Sequence, residues 1–97
     1  MLIHNEQLEG TCAAGTFSIN TSNLRGLCHH FVVKPTTEST VYSVRIVNDA
    51  SATVYDRVSE TGTLSELISL PLRGIYTVTV YDSTVNEAFT IQMIIEE

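Results

Sequence analysis

Ile75-Tyr76-Thr77-Val78-Thr79-Val80-Tyr81, then Asp82-Ser83-Thr84-Val85-Asn86, then Ala88-Phe89-Thr90-Ile91-Gln92-Met93-Ile94-Ile95 is the stretch that decides the fold. It reads as strand, polar loop and strand, because both flanks are rich in β-branched and aromatic residues. Leu70-Pro71-Leu72-Arg73-Gly74 precedes it and reads as a turn. Side chains alternate across a strand, so Tyr76, Val78 and Val80 share one face, and Phe89, Ile91, Met93 and Ile95 share another.

Working outward, five more strands are expected from alternation bounded by turn residues, about seven in all. They are Thr16–Asn20, Leu27–Lys34 (stopped by Pro35), Thr40–Val47, Thr53–Val58 and Thr63–Leu70. Asn48-Asp49-Ala50-Ser51 makes a hairpin-like turn between the third and fourth strands, and Thr61-Gly62 ends the fourth. Leu64–Leu70 has some helical spacing, but it is short and ends at Pro71, so a strand is favoured. Tyr42, Val44 and Ile46 form a third inward set, and Leu27, Phe31 and Val33 a fourth. Four such sets suit two facing sheets with one buried layer between them. Short strands at regular spacing therefore predict an all-β, single antiparallel sandwich. Residues 1–14 lack alternation and read as an N-terminal arm or irregular lead-in, one that orders only against a partner, leaving 15–97 as the sandwich domain.

The chain has 97 residues, enough for one small domain. Hydrophobic residues make up 43%, so it is expected to fold without a cofactor. Charged residues make up only 16%, against about 25% in average proteins. A Thr-rich, low-charge exterior is the character of interface cores, and it also suits the β-propensity of exposed strand faces. The net charge is −6 and the five basic residues, Arg25, Lys34, Arg45, Arg57 and Arg73, are scattered along the chain. Nucleic acid and anionic membranes are therefore disfavoured as partners, since both require clustered cations. No apolar run approaches a membrane span. Met1–Glu6 has neither the basic nor the apolar region of a signal peptide, so synthesis in a cytoplasm is expected. There Cys12 and Cys28 are expected to be free thiols, with Cys28 buried. The sequon Asn20-Thr21-Ser22 has no secretory context.

No catalytic motif stands out. Cys28-His29-His30 carries metal-ligating residue types, but strand neighbours point to opposite faces, and zinc needs three or four ligands. Asp49, Asp56, Asp82 and Glu87 lie near turns without the spacing of a calcium loop. The serines lie in no Gly-x-Ser-x-Gly elbow and there is no phosphate-binding glycine loop. No metal or cofactor site is expected, nor an enzyme. Tyr42, Tyr55 and Tyr81 are candidate exposed tyrosines, which serve protein interfaces and sugar platforms alike, and the lack of tryptophan weakens the sugar reading.

Gly74-Ile75-Tyr76-Thr77-Val78-Thr79-Val80 resembles the penultimate strand of immunoglobulin-like sandwich domains, with Tyr76 in the place of the tyrosine-corner residue. The absence of tryptophan and the spacing of Cys12 and Cys28 depart from antibody-type domains, so jelly-roll connectivity stays equally open. In style the whole chain also resembles the small structural proteins of tailed-phage virions. That resemblance implies a capsid decoration (cement) component, made in the host cytoplasm and carried in the virion. Its partners would be capsid or tail proteins, and it would form a trimer or ring. Leu2, Ile3, Leu8, Tyr55 and Tyr81 are the expected protein contacts. The alternative is a glycan- or surface-binding module.

Overall fold

The computed structural model describes residues 2–97. Its elements are β1 (Ile3–Cys12), β2 (Phe17–Asn20), β3 (Leu24–Pro35), β4 (Val41–Val47), β5 (Thr53–Thr61), β6 (Leu64–Gly74), β7 (Thr77–Tyr81) and β8 (Glu87–Glu96). They form two four-stranded antiparallel sheets, ordered β1-β8-β3-β6 and β2-β7-β4-β5. Every consecutive pair except β4–β5 lies in different sheets. Eight strands wound between two sheets in this order make a jelly roll, which resolves the connectivity that the sequence leaves open.

The core lies between the sheets. Tyr76, Val78, Val80, Phe89, Ile91, Met93, Ile95, Tyr42, Val44 and Ile46 are all buried, as alternation predicts. The rings of Tyr42 and Phe89 meet edge to face at 5.0 Å, and so do those of Phe31 and Tyr55. Each such pair contributes about 0.5–1.5 kcal/mol beyond area burial. Burial pushes the Tyr42 phenol up to about 12. It stays protonated and donates to the Gly62 carbonyl at 2.7 Å. The Tyr76 hydroxyl accepts from the Arg73 backbone N–H at 2.8 Å. A bond to the backbone just upstream is the tyrosine-corner arrangement, here within a jelly roll.

Three expectations need correction. Met1 lies outside the described residues, and residues 3–12 are not an arm or irregular lead-in: they form β1, which pairs with β8 over its whole length, from Ile3↔Glu96 to Cys12↔Glu87. Its alternation was hidden because the inward positions are His4, Glu6, Leu8, Gly10 and Cys12, which mix polar, small and apolar side chains. Glu6 is only 8% exposed. It is tolerated because Ser22 N–H (2.7 Å), Ser22 Oγ (3.0 Å) and His4 Nε2 (2.9 Å) bond its carboxylate. Gly10 leaves room for the Phe17 ring, which a Cβ there would meet at 2.5 Å.

Leu70–Gly74 is not a turn, since β6 runs through Pro71. β6 is a sheet edge, where half of the N–H groups face away from the ladder and proline is tolerated. Finally, Leu27 is not an inward residue. The register of β3 slips between Cys28 and His30 against both neighbours. This bulge reverses the parity, so Leu24 and Cys28 are buried on one side of it, and Phe31 and Val33 on the other.

Candidate interaction surface

The bulge decides what the β1-β8-β3-β6 sheet shows to the outside. It places both histidines on the outer face, against the alternation argument that separated them. His29 Nε2 reaches Glu96 on β8 at 2.9 Å, and His30 Nε2 reaches Ser65 on β6 at 2.7 Å. Among the described residues, no three His, Cys, Asp or Glu side chains are grouped to hold a metal ion.

Around the histidines the outer positions are apolar. Register aligns Ile94, His30 and Leu67 in one row across β8, β3 and β6. In one adjoining row Leu27 stands between Glu96 and Pro71, and in the other Val32 stands between Gln92 and Ser65. Leu67 is 82% exposed, and Ile3, opposite Glu96 on β1, is 59% exposed. Leu27, Val32 and Ile94 are half-buried, and Pro71 is exposed. Scattered exposed apolar residues are ordinary, whereas neighbouring ones on one face make that face a candidate for contact. Beyond Leu27 and Pro71 the face ends in Arg25 and Arg73, directly opposite one another on β3 and β6.

The five contact residues expected from sequence do not come together. Ile3 is on this face, and Leu2, 69% exposed, adjoins it, its carbonyl accepting from Glu97 N–H at 2.9 Å. Leu8 is only 8% exposed and sits in the core opposite Ile91, because β1 is a strand whose even positions point inward. Tyr55 lies at the open side between β5 and β6. Its ring packs on Phe31 and its hydroxyl donates to Glu66 Oε1 at 2.6 Å, while Arg57 pairs with the same carboxylate. Burial pushes its phenol up. Tyr81 lies on the outer face of the second sheet. It donates to Asp56 Oδ1 at 2.9 Å and carries the Arg45 guanidinium 4.7 Å above its ring. Sequence reasoning missed Leu67, Ile94, Val32 and Pro71. Parity did place Ile94 opposite to Ile95, so that signal was present. Leu67 was masked by the helix-like spacing of Leu64, Leu67 and Leu70.

Both cysteines are free and buried, and burial pushes each thiol up, which suppresses the reactive thiolate.

The fold is similar to that of PliG, a periplasmic lysozyme inhibitor of g-type lysozyme from Aeromonas hydrophila. The match has TM-score 0.55 and 16% identity, and covers 94% of this chain and 86% of that one. At this identity the likeness speaks of the fold alone. A looser match is to the structure of infectious bursal disease virus, Gt strain, at TM-score 0.32 and 9% identity, covering 96% of this chain and 39% of that one. It carries no argument. No family model and no curated protein sequence matches the chain.

Proposed function

We propose that this chain is a non-enzymatic assembly protein that docks on other proteins through the outer face of its β1-β8-β3-β6 sheet. In its specific form the proposal is a virion structural protein, a capsid decoration component. It would be made in the host cytoplasm and bound to capsid or tail subunits as a trimer or ring. The observation that supports it is the row Ile94–His30–Leu67 with its apolar neighbours Leu27, Val32 and Pro71. Burying such a row against a partner is favourable at about 25 cal/mol per Å² of apolar surface. Jelly rolls recur in viral capsid and lectin domains, which is support by fold analogy only.

Sedimentation of the purified chain with virus particles tests this reading. Wild-type chain is expected to co-sediment and Leu67→Ser to stay in the supernatant. Equal behaviour of the two removes the docking face from the mechanism, and failure of both to bind any particle removes the virion. The PliG likeness favours a second reading, in which the docked partner is an enzyme and docking inhibits it. Titration of the chain into a g-type lysozyme assay decides between them: inhibition supports the second reading and full residual activity the first.

A further inference from the structure

We propose that Arg25 and Arg73 form a carboxylate-binding site at the end of the docking face, which receives an Asp or Glu side chain of the protein partner. This inference rests on the docking reading and names the partner's chemistry.

Of the five cations, Arg57 is paired with Glu66, Arg45 lies over Tyr81, and Lys34 stands opposite Thr90 on β8 with no second cation beside it in the ladder. Arg25 and Arg73 are both exposed and make no ion pair among the described residues. They are nevertheless placed directly opposite each other in the β3–β6 ladder. Like charges at facing positions destabilise a sheet. An anion between them reverses the sign of that interaction. The two side chains line an open groove of about 490 Å³ together with His4, Ser22, Asn23, Leu24 and Glu97. His4 and Ser22 are already committed to Glu6, so the free donors of the groove are the two guanidinium groups and Asn23.

Arginine offers a planar fork that matches a carboxylate with two parallel hydrogen bonds. The surroundings select the size of the ligand. The protein carries −6 overall, Glu97 lines the same groove, and Glu96 stands in the next row. A long polyanion would run into these carboxylates, whereas a single carboxylate held in a protein surface would not. Leu27 and Pro71, next along β3 and β6, would meet apolar neighbours of that carboxylate. The surface thus reads as apolar contact flanked by one short-range ionic clamp.

The test uses the full chain, labelled with nitrogen-15, and the tripeptide acetyl-Val-Glu-Val-amide at low salt. The Nε–Hε signals of Arg25 and Arg73 are expected to shift with the Glu peptide and not with its Gln counterpart. Arg25→Gln or Arg73→Gln is expected to weaken the interaction about tenfold, the scale of a charged hydrogen bond. Each variant should be at least as stable as wild type, because a like-charge contact is removed and the Arg73 backbone bond to Tyr76 survives. Equal shifts with both peptides overturn the carboxylate assignment, as does a response to inorganic phosphate or polygalacturonate that exceeds the peptide's. A loss of stability in either variant assigns the arginines to the fold instead. If Leu67→Ser leaves particle docking intact while the Glu peptide still moves both arginines, the docking reading fails and the anion site stands alone.

Discussion

The two sheets differ in how their exteriors use polar groups. The outer face of β2-β7-β4-β5 bonds to itself. Ser18 Oγ meets Thr79 Oγ1 at 2.9 Å, Thr77 Oγ1 donates to Asn20 Oδ1 at 2.9 Å, and Tyr81 is tied to Asp56 under the Arg45 guanidinium. Its polar groups are largely spent laterally, and its exposed apolar residues, Val41, Val54 and Val58, stand on β4 and β5 at its edge. The outer face of β1-β8-β3-β6 instead shows Leu67, Ile94, Val32 and Leu27 and ends in two arginines that make no ion pair among the described residues. A composition rich in Thr and poor in charge averages these two surfaces and describes neither. Interfaces have apolar cores, and what sets the β1-β8-β3-β6 face apart is the row Ile94–His30–Leu67 running across three strands with Leu27 and Val32 beside it.

The comparison breaks most severely if the first sheet survives without its edge. Deleting residues 1–12 is expected to abolish folding. It removes one of the two ladder partners of β8 and uncovers the β1 side of Phe89, Ile91 and Met93. Loss of amide dispersion in a nitrogen-15 correlation spectrum checks this, and a native-like spectrum would restore the arm.

A smaller effect is expected at Glu6, which ties β1 to the Ser22 loop. Glu6→Gln should lose about 1–3 kcal/mol, the scale of a buried charged group left poorly satisfied. Burial raises the carboxyl pKa, but bonds from Ser22 N–H, His4 and Ser22 Oγ outweigh it, and the group titrates below its ordinary 4.5. Its contribution is therefore present above that value and lost as pH falls through the lower folded value. Chemical denaturation at neutral and acid pH should show wild type converging on Glu6→Gln as the medium is acidified. Parallel curves would remove the carboxylate from the account.

The mildest pair sharpens the contrast itself. Tyr81→Phe should cost about 1 kcal/mol or less, an exposed hydrogen bond, and leave docking unchanged. Leu67→Ser should change stability by less than about 0.5 kcal/mol, as surface substitutions do, and abolish docking. Thermal melts beside particle sedimentation read both. The contrast between faces collapses if Tyr81→Phe weakens docking as much as Leu67→Ser.

The strands with clean apolar alternation were legible in the sequence. Tyr76, Val78, Val80, Phe89, Ile91, Met93 and Ile95 all point where parity puts them, because nothing interrupts the two-residue period. Three things broke that period. The bulge at His29 adds one residue to β3 and turns Leu27 outward while burying Cys28. Glu6 is inward and polar, and its satisfaction depends on Ser22, far along the chain. Pro71 reads as a stop unless the strand is known to be an edge. The strand order was illegible for a different reason. Nearly every connection crosses between sheets, so neighbours in sequence are not neighbours in the ladder. The proposed docking face depended on all of these, and of its expected contact residues only Ile3 and its neighbour Leu2 were named in advance.

The pairing of β1 with β8 has a practical side. Glu97 N–H is bonded to the Leu2 carbonyl, so both ends of the described chain leave the molecule at one corner, the corner of the Arg25–Arg73 groove. Any tag or fusion joined at either end emerges beside that groove and competes for it. A linker joining the two ends, with new ends opened in the 82–86 loop beside Cys12 at the far end of β1, would move such cargo away from the groove. Permuted in this way, the protein would become a display scaffold whose working face stays clear.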